Sequence, residues 1–282
     1  MPYPHRDVPA TWPAQRPLAV PISIMLEGWA DDTAPGIGPM GNPLKAGVLD
    51  RQAISWAEYG AKVGAWRILD LLDRHQARAV FYVSGVVAER YPDLLAAIVQ
   101  QGHVVAGHSW SQHMIPAYLS EAEERQDIAR CTEVLTQASG SRPMGWISPR
   151  CTPSRSTAQL LAEAGYAWHA DTFDSDVPYA LDTPAGPITA MPFSMEINDM
   201  PLSVRYGNEP QAYTRALARV LDNWGLLGTP ACLDMTLHAH VYGRPAGAIE
   251  FIHAIDLVRR HEQVAWLTHH AELSDMMATQ VR

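Results

Sequence analysis

Cysteine is scarce in the 282-residue chain: Cys131, Cys151 and Cys232 are too few, and odd in number, for a disulfide framework. No run of eighteen apolar residues exists, which leaves nothing to cross a bilayer as a helix. Basic residues are outnumbered, 21 Lys and Arg against 30 Asp and Glu, a formal charge of −9, and no basic patch suited to nucleic acid is visible. The opening MPYPHRDVPATWPAQRPLAVPISI lacks the apolar stretch of a secretory signal, so a cytoplasmic location is expected, with neither membrane nor nucleic acid as partner. Internal repeats and low-complexity tracts are missing too. What is present is ordinary globular material. With 47% hydrophobic and 18% charged residues there is core former enough to exclude disorder, and the length suits one large domain over 1–282.

Strand and helix patterns alternate along the chain. Apolar runs at 19–26, 77–85, 103–109, 144–148, 168–172, 187–193, 233–240 and 264–268 read as strands. Amphipathic stretches at 55–75, 89–102, 120–140, 154–166, 209–225 and 246–261 read as helices. Pro92 suits a first helical turn, Ser120 with Glu123 makes a capping box, and Ser154 with Gly165 brackets the helix between them. The proline-rich residues 1–18 are expected to form an N-terminal arm, and 28–50, rich in Gly and Pro, a long loop near the site. Such alternation predicts an α/β fold, a distorted (β/α) barrel with seven or eight parallel strands and right-handed crossovers. In that architecture chemistry gathers at the C-terminal ends of strands.

Polar residues fall at those ends: Glu27, His108, Arg150, Asp171 and Asp174, then Asn198, Asp199, His238 and His240. One alone is weak evidence, but a set on successive strand ends predicts a shared pocket. The residue types suit hydrolysis. A carboxylate such as Glu27 accepts a proton from water, and an imidazole such as His238 protonates a leaving group. Arg150 holds a substrate carboxylate or orients Glu27 as a bidentate pair. The competing reading is a structural ion-pair network in the barrel mouth. Trp110, Trp146 and Trp168 are expected as flat pocket walls or, equally, as core. His240 shares a face with His238 one layer further along, so a structural role is expected there and at His103. His269 and His270, near the C-terminus, are expected to be exposed. Cys151 abuts Arg150 but has no histidine partner in sequence, and Cys131 is expected to be buried in its helix.

The order of these landmarks resembles the polysaccharide deacetylase superfamily, the NodB-homology fold. ISIMLEG (22–28), VFYVSGVVAERYPDLLAAIVQQGHVVAGHS (80–109), RPMGWISPRCTPS (142–154) and LDMTLHAH (233–240) carry the likeness, which spans about residues 20–270. Four stretches, EYGAKVGAWRILDLLD (58–73), the same RPMGWISPRCTPS (142–154), DTFDSDVPY (171–179), and FSMEINDM (193–200) followed by LHAHVYGRP (237–245), resemble more narrowly the branch of metal-independent allantoinases and cyclic imidases. That likeness implies a hydrolase of non-peptide C–N bonds. Its substrate would be a small cyclic imide or ureide, or a related amide, cleaved by carboxylate-activated water without a cofactor in a homodimer or homotetramer. The base would be Glu27, the acid His238 and the arginine Arg150, with His108, Gln112, Trp110, Trp146, Asp174, Asn198, Asp199 and Arg244 as the expected substrate-binding set.

Two departures bear on the metal. Deacetylases that use an ion hold it with an aspartate after strand one and with His-x-x-x-His. Here Leu26-Glu27-Gly28 stands at the first place, and the second reads His108-Ser109-Trp110-Ser111-Gln112-His113, with Gln112 where imidazole is expected. If one zinc ion is held, the resemblance offers His108, His113, Asp31 and Asp32 as its ligands, and the activity becomes metal-dependent N-deacetylation of an acetylated sugar or amine. A third reading is a non-catalytic metabolite- or carbohydrate-binding module. Loss of metal and choice of substrate belong together. Zinc supplies a low-pKa water and a Lewis acid, both needed by a plain acetamide. An imide carbonyl is more electrophilic, and its departing nitrogen is stabilised by a second acyl group.

Overall fold

The nine residues Leu18–Leu26 (β1) are buried throughout, as an unbroken apolar run requires of a strand with neighbours on both sides. The computed structural model describes residues 12–41, 44, 45 and 47–280, so most of the expected arm 1–18 lies outside the described residues. After β1 come Val80–Val83 (β2), Val104–Gly107 (β3), Gly145–Trp146 (β4), Trp168–Thr172 (β5), Tyr179–Leu181 (β6) and Ile188–Pro192 (β7). Ala231–Cys232 (β8), Met235–His238 (β9) and Ala265–Thr268 (β10) complete the sheet. The order β10-β1-β2-β3-β4-β5-β7-β6 has β8 and β9 also against β1. Every pairing is parallel except β6 on β7.

The sheet curls into the expected distorted barrel. Its weak seam lies between β7 and β9, where, among the described residues, the contact is a lone parallel bridge from Asn198, in the segment after β7, to Thr236 of β9. The antiparallel β6 was not expected: three residues ahead of a turn at Gly186 (φ 111°) are too few to show a period. The lower half of β1 pairs with β10 as far as Pro21, and the upper half pairs with β2 from Ser23. Pro21, which has no N–H to give, thus sits where β1 changes neighbours.

Helices cover the outside. Arg51–Tyr59 (α1) and Ala65–Arg74 (α2) are one rod joined by a π-turn, Gly60–Gly64. The rod begins earlier than the expected 55–75 because Asp50 caps it, its carboxylate accepting from Gln52 N and Ala53 N. The single helix expected at 89–102 is two, Gly85–Arg90 (α3) and Pro92–Gln100 (α4), since Pro92 drives Tyr91 out of helical geometry (φ −132°, ψ 58°). Glu121–Ser139 (α5) has the capping box in full. Thr157–Glu163 (α6) starts after Ser156 rather than Ser154, whose hydroxyl instead reaches Glu124. Gln211–Asn223 (α7) and Pro245–Arg260 (α8) follow the sequence pattern, and His270–Gln280 (α9) was not anticipated. Among the described residues no helix is long and apolar enough to cross a membrane.

The π-turn packs against the loop that follows β9. A Cβ on Gly64 or on Gly243 would overlap the carbonyl of Ala239, and one on Gly60 would press on His240 at 3.1–3.3 Å. These contacts require bare backbone. Gly64→Ala is expected to destabilise the fold by about 1–3 kcal/mol, the cost of overpacking a tight contact, read as a lower urea midpoint with an unchanged slope.

Candidate active site

Parallel register brings three side chains to one rim. Met25 pairs with His238, Leu26 with Val83, and Val83 with Gly107. Glu27, just past β1, therefore faces His108, just past β3, and His238, which ends β9. Glu27 Oε1 lies 3.5 Å from His108 Nε2 and 3.9 Å from His238 Nε2. Its other oxygen, Oε2, lies 3.8 Å from His240 Nε2. Arg150, expected to orient Glu27, does not touch it; the imidazoles do.

Each ring is set differently. His108 Nδ1–H donates to Ile147 O at 2.8 Å, which turns Nε2 toward Glu27. His238 Nδ1–H donates to Asp199 Oδ1 at 2.7 Å, while Asp199 Oδ2 accepts the backbone N–H of His238 (2.8 Å) and of Tyr242 (3.2 Å). His240 has no hydrogen-bond partner at either nitrogen, and Trp56 stands edge-on to it at 4.4 Å.

The charge states follow. Burial raises the Glu27 carboxyl, but the His108 hydrogen bond and the positive charge of the surrounding rings outweigh it and hold the group at about 2. Burial lowers His238, yet the charge and hydrogen bond of Asp199, with the charge of Glu27, more than reverse this and leave it above an ordinary imidazole. Burial drives His240 down to about 4, and Glu27 only partly offsets it. Near neutral pH the site holds a carboxylate, an imidazolium backed by a second carboxylate, and a bare neutral imidazole.

These groups line a cavity of about 760 Å³. Asn198, Gln112 and Arg150 line it as well, and Trp29, Trp56, Phe173 and Phe193 give it apolar walls. Asn198 Oδ1 accepts from Met200 N at 3.0 Å, and Gln112 Nε2 donates to Ser84 Oγ (3.0 Å) and His108 O (3.1 Å). Arg150 and Cys151 both have left-handed backbone, φ 56° and 48°. That strain is held by Ser148, whose N–H and hydroxyl both donate to Asp171 at 2.7 Å. The thiol of Cys151 is pushed far up by burial, so it is no nucleophile at neutral pH.

Five of the expected substrate contacts are corrected by the structure. Asp199 is fully buried and acts through His238 rather than facing the cavity. Trp146 is core, edge-on to Tyr166 at 5.6 Å. Trp110 lies on the outside, donating to Glu89 and covered by Arg130 at 3.5 Å. Asp174 is exposed and accepts from the Tyr179 hydroxyl at 3.0 Å. Arg244 stacks on Tyr59 at 4.1 Å and donates to His240 O, behind the cavity wall. Trp168 is core as well, its Nε1 donating to Tyr82. His270, expected at the surface, is fully buried beneath the site at 2.7 Å from the Tyr82 hydroxyl. The four aromatic walls and His240 were missed. For His240 the signal was its alternation with His238; Trp29, Phe173 and Phe193 lie outside the strands and helices, where no period exists to read, and Trp56 lies on α1.

Residues 57–169 match the family model described as polysaccharide deacetylase. The chain carries a polysaccharide deacetylase domain. PuuE allantoinase has the same fold with a TM-score of 0.86, 27% identity, and coverage of 97% of this chain and 93% of that one. A protein described as a probable polysaccharide deacetylase from Pseudomonas aeruginosa PAO1 matches with a TM-score of 0.85, 26% identity, and coverage of 97% and 93%. The peptidoglycan deacetylase of Helicobacter pylori is 20% identical over 269 residues, 79% of this chain and 87% of that one.

This deacetylase domain does not assemble the zinc ligand set that its sequence offers. Asp31 is 97% exposed and paired with Arg90 at 2.6 Å, and Asp32 is exposed as well. His113 is exposed and its Nδ1 is engaged with Ser111 Oγ at 2.8 Å. Gln112 presents amide N–H groups, not a lone pair, to its neighbours. Among the described residues no group of three or more His, Cys, Asp or Glu is placed to hold a metal ion.

The Asp199–His238 pair has a measurable signature. Asp199→Asn is expected to lower the titration midpoint of His238 by about 1–3 pH units, read from its ring resonances by NMR. The linkage has a definite sign. Because the folded-state value of His238 is raised, its stabilisation is complete below about pH 6.5 and is lost as pH rises through the folded value.

Proposed function

We propose that this deacetylase-family hydrolase opens a small cyclic imide or ureide, or a related activated amide, with water activated by Glu27 and without a metal ion. The observation that carries the reading is the Glu27–His238 pair, 3.9 Å apart at the base of an apolar-walled cavity.

The attacking water sits between Glu27 Oε2 and His240 Nε2, since their 3.8 Å separation is too long for a direct hydrogen bond and within the span of one bridging water. Glu27 takes a proton as the water oxygen bonds to the ring carbonyl carbon. Positive charge from Arg150 faces the oxyanion that forms. The C–N bond breaks as His238 Nε2–H passes its proton to the departing nitrogen. Glu27 then returns its proton to His238 through the Oε1 side, and a half-amide acid leaves. Asp199 favours the charged form of His238 before the transfer and holds the ring in place throughout.

The acidity of Glu27 favours an activated substrate. A carboxyl held at about 2 is ionised at every working pH but binds a proton weakly. Such a base suits an electrophilic imide better than a plain acetamide. The fold of an allantoinase, which overlays most of the chain, supports the same choice.

The test is turnover of a panel of cyclic imides and ureides, with and without chelator. Glu27→Gln is expected to lower kcat by about 10²–10⁴-fold and chelator to have no effect. Loss of activity with chelator and its return with zinc would overturn the reading in favour of metal-dependent deacetylation. No turnover of any panel member, with Glu27→Gln binding them as wild type does, would favour a binding module. His240→Phe is expected to lower kcat by about tenfold or more with KM little changed, the pattern of a group that holds the water rather than the substrate.

A further inference from the structure

The charges of the cavity do not balance. The chain as a whole is acidic, with 21 Lys and Arg against 30 Asp and Glu. The cavity reverses this: its wall carries one carboxylate, Glu27, and two guanidiniums, Arg150 and Arg205. Glu27 and the buried Asp199 flank the imidazolium of His238, so that cluster is negative by one charge, and against two guanidiniums one positive charge is left over. Burial keeps His240, and partial loss of water keeps the rim residue His113, below the ordinary imidazole value, so neither adds a proton that needs a partner at neutral pH.

Neither guanidinium of the cavity wall touches a carboxylate among the described residues. Arg74, Arg90, Arg125, Arg130 and Arg215 on the outer surface each reach a carboxylate. The side chains of Arg150 and Arg205, both exposed at the rim, make no hydrogen bond or ion pair among the described residues. They come from different elements. Arg150 stands on the strained turn pinned by Ser148 and Asp171. Arg205 closes the π-turn Met200–Arg205, whose first N–H is held by Asn198 of the cavity wall. The oxyanion calls for one positive charge at most, and Arg150 can supply it. Arg205 remains, at the mouth of an apolar cleft where positive charge is focused rather than dissipated.

We propose that the substrate is an anion, a cyclic imide or ureide carrying a carboxylate away from the scissile bond, and that Arg205 reads that carboxylate. A guanidinium fork matches two carboxylate oxygens. This inference rests on the hydrolytic reading above for the ring, and on the unbalanced charge alone for the carboxylate.

The test compares 5-(carboxymethyl)hydantoin with its near-isosteric amide, 5-(carbamoylmethyl)hydantoin, on the full-length enzyme. At about 0.01 M salt the acid is expected to exceed the amide in kcat/KM by about tenfold or more, and the margin to shrink at about 0.3 M. Arg205→Gln is expected to bring the ratio close to one, Arg205→Lys to keep part of it, and Arg205→Glu to invert it. A ratio cancels any loss of folded enzyme in a variant. An acid-to-amide ratio of one or below in the wild type, or one that Arg205→Gln leaves unchanged, overturns the proposal. If neither ring is opened the hydrolytic reading falls, and calorimetric binding of the same two compounds to wild type and Arg205→Gln decides the charge inference by the same ratio.

Discussion

The site depends on one hydrogen bond, from His238 Nδ1 to Asp199. Burial works against a charged imidazole, and a buried carboxylate in direct contact is what reverses it. The same carboxylate accepts two backbone N–H groups, of His238 and Tyr242, so it fixes the path of the chain leaving β9 as well as the state of the ring. Glu27 owes its low basicity first to His108 and then to the charge this arrangement sets beside it. A carboxylate held down in this way is a weak base, which is why the substrate proposed for it is an activated one.

The barrel serves this arrangement by register. β1 is the hub, pairing with β2, β8, β9 and β10, and each neighbour arrives parallel. Strand ends therefore fall at one level, and side chains far apart in sequence meet without any long connection reaching inward. The weak seam beside β9 lies where Asn198 and Asp199 enter, so the residues that hold His238 come from the least regular part of the wall.

Much of this was legible in the sequence, and the limits have physical causes. The strands of the barrel read well because each is a short apolar run between turn residues. Glu27, His108 and His238 read well because parallel strands oblige polar ends to gather. Asp199 was placed on the right face of the problem but in the wrong role: its spacing from His238 is 39 residues, and no local pattern records a contact made across the barrel. The tryptophans fail for the opposite reason. Trp110 and Trp146 lie beside motif residues, yet the walls are Trp29 and Trp56, set by a long loop and by a helix rather than by strand order. The split at Tyr91 shows that a proline signal can be read correctly and its effect on the preceding residue still be overlooked.

The π-turn at Gly60–Gly64 has a consequence for how Trp56 comes to face His240. A π-turn is an α-helix with one residue inserted, and the extra residue advances the helical phase by about 100°. Upstream of it, Trp56 meets His240 and Tyr59 meets Arg244; downstream, Ile68, Leu69 and Leu72 are buried in the barrel's outer core. One regular helix could not aim both groups where they are. The insertion works as a gear between two faces, letting the same rod seal the cavity at one end and anchor to the sheet at the other.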